Sequence, residues 1–164
     1  MANLPKTAFW MARGLEQSLT QGLESWAEDT PDRAKWLSED NEAWHVIAGT
    51  MLVGCFAYAE GKQGKNWWQD MRSEAAKRDL DILWIARNAY VHKDGNPAEL
   101  WSTSEADIDR IRQYCVDLES GNIFDDKGNK YPIYMQFTDE NIILNKCTIS
   151  IIARLFETAY RAFS

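Results

Sequence analysis

Apolar residues recur along most of the chain at steps of three and four, which is the spacing of one face of an α-helix. The first such pattern lies between Thr7 and Glu28 and comprises Ala8, Met11, Leu15, Leu19, Leu23 and Trp26. Thr30-Pro31-Asp32 then predicts a second helix start, because it supplies an N-cap, a proline at the first helical position and an early acid. We expect this second helix to break near residues 38–41 and to continue to Tyr58.

The segment from Ala43 to Ala59 contains no charged residue and raises the question of a membrane span. A spanning helix needs about 20 apolar residues, and this segment is shorter, contains His45 and two glycines, and has acidic flanks. The pattern is therefore typical of a buried central helix. His45 is expected to be a hydrogen-bonded histidine of the core.

Beyond Tyr58 the pattern predicts a polar loop over residues 60–65 and a helical stretch over 66–77. Asp79 is expected to cap the next helix, which Gly95-Asn96-Pro97 ends. One face of that helix is shared by Leu80, Leu83, Trp84, Arg87 and Val91.

The last third of the chain changes its periodicity. Residues 102–105 resemble a capping box and predict a helix that ends at Gly121. Three short strands follow, over 122–124, 130–138 and 141–145, with turns at 126–129 and 138–140. A final helix begins at Thr148. The predicted fold is a mainly α bundle of five or six helices, with a small β-hairpin or meander at about 122–145 before the last helix, in one domain over 1–164.

Charge is unevenly distributed along the sequence. The chain has 18 Lys and Arg against 25 Asp and Glu, for a net charge of −7, which excludes a general cationic coat for nucleic acid. Residues 61–93 nevertheless carry seven basic and four acidic side chains, an excess of +3. This stretch is where a phosphate-bearing ligand would bind. The alternative is an ordinary solvated pair of helices.

The cysteines and histidines point to a protein without a metal or disulfide framework. Cys55, Cys115 and Cys147 are odd in number and far apart, which favours reduced thiols and a cytoplasmic location. Neither His45 nor His92 lies near a pair of cysteines, so the sequence predicts no zinc site, and it suggests no other cofactor. No basic-then-apolar leader is expected at the N-terminus.

The segment Arg87-Asn88-Ala89-Tyr90-Val91-His92 combines three side chains suited to phosphate chemistry. An Arg binds phosphate bidentately and neutralises its charge, a His transfers protons near neutral pH, and an Asn orients either partner. On a helix, Asn88 and His92 share a face, whereas Arg87 lies roughly 140° around and about 7.5 Å along the axis from His92. The alternative is a structural Arg paired with an acid such as Asp81, beside a surface His.

This segment resembles the R-x(4–6)-H signature, with a polar residue after the Arg, of the HEPN superfamily of small helical bundles. A chance match that includes the Asn is expected about 0.02 times in a chain of this composition. Members include metal-independent ribonucleases of toxin–antitoxin and phage-defence systems. The resemblance implies Arg87 and His92 as the catalytic pair and Asn88 as the polar auxiliary. In one group of these toxins a modified Tyr lies two residues after the His, but this chain has Asp94 there.

The resemblance thus implies a cytoplasmic, metal-independent endoribonuclease that cleaves RNA by 2′-hydroxyl attack, with an antitoxin or regulatory protein as a further partner. The motif offers a single His per chain, which favours a homodimer that brings two copies of the motif into one cleft. Lys62, Lys65 and Lys93 are the candidate substrate-binding cations. The alternative is an inactive HEPN-fold module that binds a nucleotide or a protein. No membrane partner is expected.

Overall fold

The computed structural model describes residues 4–39, 41–93, 104–139 and 141–162, with the side chains at 39, 41, 92 and 93 outside the described part. Helix α1 (Lys6–Gln17) continues through a π-helical turn (Ser18–Gly22) into α2 (Leu23–Glu28), as the periodicity predicts. Helix α3 (Pro31–Glu39) begins after Thr30, whose Oγ1 accepts a hydrogen bond from the Arg33 amide at 3.3 Å.

The rest of the described chain contains four long helices and one β-hairpin. Helix α4 (Asn41–Gln63) is followed by a 3-10 turn (Trp67–Asp70) and by α5 (Glu74–Lys93). Helix α6 (Glu105–Glu119) precedes the antiparallel strands β1 (Met135–Thr138) and β2 (Asn141–Leu144), and α7 (Lys146–Arg161) closes the chain. With α1 and α2 taken as one rod, the described residues form six helices, so a mainly α bundle with a small β element before the last helix is confirmed.

The loop predicted over 60–65 and the helix predicted over 66–77 are only partly confirmed: the loop is limited to 64–66, and the predicted helix is a 3-10 turn over 67–70 followed by the start of α5 at Glu74. Residues 60–63 complete α4, and Gly64 ends it with a φ of 89°. Asn66 also has a left-handed backbone, with a φ of 58°, and the chain turns sharply enough to bury Trp67 and Trp68. Burial of two indoles outweighs the helical propensity of the segment.

Asp79 is not a helix cap. Ser73 caps α5, since its Oγ accepts a hydrogen bond from the Ala76 amide at 3.1 Å. Asp79 lies in the second turn of α5 and is fully buried, where it accepts hydrogen bonds from the hydroxyls of Tyr114 and Tyr131. Its partners are 35 and 52 residues away in sequence, so no local pattern could have predicted this role.

The β element is smaller than predicted. Phe124 and Lys130 form an isolated bridge across the predicted turn, and only residues 135–138 of the predicted second strand pair with 141–144. Residues 131–134 form no strand, and Tyr131 and Tyr134 direct their side chains into the core. Helix α7 starts two residues before Thr148, with Asn145 as its N-cap. Ser104 caps α6; Ser102 and the Gly95-Asn96-Pro97 stop lie outside the described residues.

The core is centred on α4 and α5. His45 of α4 is buried, and its Nδ1 accepts a hydrogen bond from the Leu144 amide at 3.1 Å, so its prediction as a hydrogen-bonded core histidine is confirmed. Phe56 of α4 contacts the rings of Trp67, Trp68 and Trp84. No helix in the described ranges combines the length and apolar character required to span a membrane.

We expect Gly49→Ala to destabilise the protein by about 1–3 kcal/mol, the usual cost of overpacking. A Cβ on Gly49 would overlap the ring of Tyr90, which packs against α4 at this glycine. Gly54→Ala on the same helix is the control: its Cβ would meet nothing within 4 Å, so the higher helix propensity of Ala should stabilise the fold slightly. Urea unfolding of both variants tests the prediction. Equal effects at the two positions would contradict it.

Candidate functional site

Helix α5 carries the whole Arg87–His92 motif in its last two turns. Arg87 and Asn88 are both half-buried, and their side chains contact each other: Arg87 Nη1 donates a hydrogen bond to Asn88 Oδ1 at 2.8 Å. His92 and Lys93 belong to α5 by their backbone, and their side chains lie outside the described part. The structure therefore brings Arg87 and Asn88 together and leaves the place of the His92 imidazole open.

The guanidinium of Arg87 is held mainly by neutral groups. It lies 5.0 Å from the centroid of the Trp84 ring, one turn earlier on α5. Its Nε is enclosed and has no hydrogen-bond partner, and no carboxylate among the described residues comes within ion-pair distance. A half-buried cation without a paired anion is uncommon in a helical bundle. No direct ion pair with a described carboxylate therefore neutralises this positive charge.

The alternative pairing of Arg87 with Asp81 is wrong. Asp81 accepts hydrogen bonds from Trp68 Nε1 and from Gln69 Nε2, and it forms an ion pair with Arg110 of α6 at 3.6 Å. It therefore anchors the 3-10 turn and α6, and it forms no hydrogen bond or ion pair with Arg87 or Asn88.

Arg87 leans toward the N-terminal end of α5. The Cα–Cβ bonds of an α-helix tilt in that direction, and the stacking on Trp84 carries the guanidinium further along it. The turn that contains His92 lies in the opposite direction, about 7.5 Å along the axis from the Arg87 Cα. Within one chain, the Arg87 guanidinium is consequently directed away from the His92 turn.

Glu60 is a member of this site that the sequence did not indicate. Helices α4 and α5 run antiparallel, since Gly49 meets Tyr90 while Phe56 meets Trp84. Glu60 follows Phe56 by one turn, and its side chain leans back toward Phe56 just as Arg87 leans back toward Trp84. The two charged groups therefore converge from opposite helices at the level of the Phe56–Trp84 contact.

The surroundings of the Glu60 carboxylate act on its pKa in opposite directions. Burial raises its pKa above the usual value, whereas the charges of Arg87 and then Lys65 act to lower it. Its Oε1 is enclosed and has no hydrogen-bond partner. The sequence pattern predicted a loop at Glu60. It therefore could not place this residue on α4, one helical turn after Phe56.

Two of the three lysines predicted to bind substrate, Lys62 and Lys65, have described side chains and occupy different positions. Lys65 lies in the connection after α4, and its charge acts on the Glu60 carboxyl, as the charge of Arg87 does. Lys62 is on the last turn of α4, where its Nζ lies 5.9 Å from the centroid of the Tyr58 ring. Both side chains are exposed. Of the two, Lys65 is the better placed to meet a ligand at Arg87.

The remaining titratable groups do not form a metal or thiol site in the described ranges. His, Cys, Asp and Glu side chains nowhere gather there in groups of three or more that could hold a metal ion. Cys55 and Cys115 are buried, and burial raises the pKa of each thiol to about 12, so neither is a reactive thiolate. Cys147 is partly exposed and free.

These features define the class of the protein: a mainly helical bundle with a two-stranded antiparallel hairpin before its last helix, carrying a half-buried Arg–Asn pair on α5 beside a carboxylate from α4. The chain matches no protein-family model, and the comparisons with curated proteins and with solved structures find no similar protein.

Proposed function

We propose that this protein is a metal-independent endoribonuclease of the HEPN type, acting in growth arrest or phage defence under the control of an antitoxin or a similar regulatory protein. The observation that carries the proposal is the environment of the Arg87 guanidinium. Its guanidinium is half-buried, stacked on Trp84 and bonded to the neutral Asn88, with no paired carboxylate among the described side chains. Such a group is suited to bind a phosphodiester and to stabilise the charge that grows on it during cleavage.

Cleavage of RNA without a metal uses the ribose 2′-hydroxyl as the nucleophile. The 2′-oxygen forms a bond to phosphorus, and the bond between phosphorus and the 5′-oxygen breaks. Arg87 neutralises the pentacoordinate phosphorus, Asn88 orients the guanidinium, and His92 transfers a proton. Lys65 adds positive charge for the neighbouring phosphate. In the last turn of α5, the helix dipole favours the protonated form of His92.

A homodimer completes the site in this proposal. The Arg87 guanidinium points away from the His92 turn of its own chain, whereas a two-fold axis beside α5 would bring the His92 turn of one copy to the guanidinium of the other. Exposed apolar side chains support a contact surface here: Val91 is 46% exposed, and Val46 is 47% exposed. Val46 is adjacent, since its carbonyl accepts a hydrogen bond from the Tyr90 hydroxyl.

We expect light scattering to show a dimer, with twice the 18.9 kDa mass of the chain, at tens of micromolar. Val91→Glu should shift the protein toward the monomer and lower activity, because it places charge in the contact. Val116→Glu on α6 is the control, since Val116 is exposed to a similar degree, 49%, on another helix. A wild-type monomer would contradict the two-copy site.

The experiment that tests the activity is cleavage of single-stranded RNA by the purified protein in the presence of a chelator. The expected products end in a 2′,3′-cyclic phosphate and a 5′-hydroxyl. DNA of the same sequence should survive, because it lacks the 2′-hydroxyl. A requirement for a divalent metal, or cleavage of DNA, would contradict the proposal.

One observation favours the second candidate, an inactive module that binds a nucleotide or a protein. The Arg87 guanidinium lies beside Glu60 and is directed away from the turn that contains His92. In that case nucleotides should quench the fluorescence of Trp84, and Arg87→Ala should abolish the quenching, while RNA remains intact at every pH.

A further inference from the structure

Glu60 supplies the candidate site with a second titratable group, from a different helix than the motif. It converges with Arg87 at the level where Phe56 of α4 packs on Trp84 of α5, with ring centroids 6.1 Å apart. Arg87 is the strongest of the charges that act on its carboxylate. Among the described side chains, Glu60 is therefore a proton-transferring group on which the charge of Arg87 acts directly.

The oxygens of Glu60 are not used to hold the fold together. Oε1 is enclosed without a hydrogen-bond partner, and Oε2 also makes no hydrogen bond but is not enclosed, so it contacts solvent. Carboxylates with a structural role in this protein behave differently. Asp81 and Glu157, for example, each contact two or more donors. A half-buried carboxylate with unused lone pairs is available to accept a hydrogen bond or a proton from a ligand.

The surroundings of Glu60 favour proton uptake. Burial is the largest influence and raises its pKa, and two cations act against burial: Arg87 from α5 and Lys65 from the connection that follows α4. No other described charge on the elements packed against α4 contributes to this pKa. A carboxylate with a raised pKa accepts a proton nearer to neutral pH than an exposed one and is the better base for it.

We propose that Glu60 is the base that accepts the proton of the ribose 2′-hydroxyl, while Arg87 binds the scissile phosphate and His92 of the second copy protonates the departing 5′-oxygen. As the 2′-oxygen bonds to phosphorus, its proton passes to the Glu60 carboxylate. As the bond from phosphorus to the 5′-oxygen breaks, the His92 imidazolium gives its proton to that oxygen. The dimer is left with Glu60 protonated on one copy and His92 neutral on the other. This assignment rests on the ribonuclease proposed above.

The test is the Glu60→Gln variant of the full chain, assayed on a fluorescent RNA oligonucleotide with a chelator between about pH 4 and pH 9. We expect kcat to fall by about 10²–10⁴-fold, the range for loss of general base help, with KM changed by less than about threefold. The wild-type rate should fall on the acid side as Glu60 takes up a proton. The variant should lose that acid limb and keep the alkaline limb set by His92.

The control is Glu119→Gln, which removes an exposed carboxylate from the last turn of α6 and should leave both kcat and the pH profile unchanged. Circular dichroism should show that Glu60→Gln is folded. If it is not, Glu60→Asp provides the test, because its shorter carboxylate should cleave more slowly and still show the acid limb. A Glu60→Asp variant whose cleavage rate does not fall toward acid pH would overturn the assignment.

Two results separate this assignment from the proposed function. A folded Glu60→Gln variant with the wild-type rate and profile, beside an inactive His92→Ala variant, would overturn the role of Glu60 and leave the ribonuclease in place. Wild-type protein that does not cleave RNA would remove both.

Discussion

His92→Ala is expected to slow RNA cleavage by about 10²–10⁴-fold, because the departing 5′-oxygen would lose its proton donor. Arg87→Ala is expected to cost a similar factor. The guanidinium is half-buried over Trp84, so solvent cannot replace the charge that it offers to the phosphorane. Rates measured on one RNA oligonucleotide under single-turnover conditions would test both variants against the wild type.

Arg112→Ala is the matched control for Arg87→Ala. Arg112 of α6 also lies over an aromatic ring, with its guanidinium 5.1 Å from the centroid of Phe137, but it is paired with Asp109 at 2.9 Å. Loss of this arginine should leave the cleavage rate unchanged. If Arg112→Ala were as damaging as Arg87→Ala, the loss would reflect stability or total charge, and the assignment of Arg87 would be wrong.

Asp79→Ala is expected to lower the free energy of unfolding by about 3–5 kcal/mol, the usual cost of removing one partner of a buried ionic network. Asp79 Oδ1 accepts hydrogen bonds from Arg78 at 2.8 Å and from the Tyr114 hydroxyl at 2.9 Å, and Oδ2 accepts one from Tyr131 at 2.6 Å. The substitution leaves buried hydroxyls of α6 and of the segment before β1 without their acceptor. The urea midpoint should fall with an unchanged m-value.

Asp109→Ala provides the comparison for Asp79→Ala. Asp109 also pairs with an arginine, Arg112, but its side chain is 73% exposed, so its loss should not change stability measurably. A stable Asp79→Ala variant would show that the tyrosine hydroxyls find other partners and that Asp79 does not hold α5, α6 and the β element together.

Stability should also depend on pH through Asp79. Burial raises the pKa of its carboxyl despite the hydrogen bond from Tyr131 and the charge of Arg78, so the folded chain holds this proton more tightly than the unfolded chain. The stability that proton binding by Asp79 adds is fully present below the pKa of the unfolded chain, about 3.9. It is lost as the pH rises through the pKa of Asp79 in the folded chain. Asp79→Asn does not titrate, so its urea midpoint should gain on that of the wild type as pH rises from about 4 toward 7.

The sequence predicted most helices because their signals are local. The apolar spacing before Glu28, the Thr30-Pro31 start of α3 and the uncharged run of α4 each lie within one element, and the structure confirms all three. His45 was predicted correctly for the same reason, since a polar side chain in an uncharged run must find a hydrogen-bond partner.

The region between α4 and α5 shows where local signals fail. The polar residues of 60–65 resemble a loop, yet α4 continues to Gln63, because tertiary packing sets where a helix ends when the propensities are nearly balanced. Asp79 resembles a helix cap by residue type. Its actual partners come from α6 and from the segment before β1, and such long-range pairs leave no trace in a periodic pattern.

The same division applies to the candidate site. Arg87 and Asn88 were found from the sequence by themselves, because both lie in one short motif on one helix and their contact is between neighbouring residues. The engagement of Asp81 by Trp68 and Gln69 and the convergence of Glu60 on Arg87 were decided only by the tertiary structure. Each depends on the antiparallel packing of α4 and α5 or on the position of the buried 3-10 turn. These contacts join residues that are 12 or more positions apart, and the energy that selects them comes from burying Phe56, Trp68 and Trp84 together.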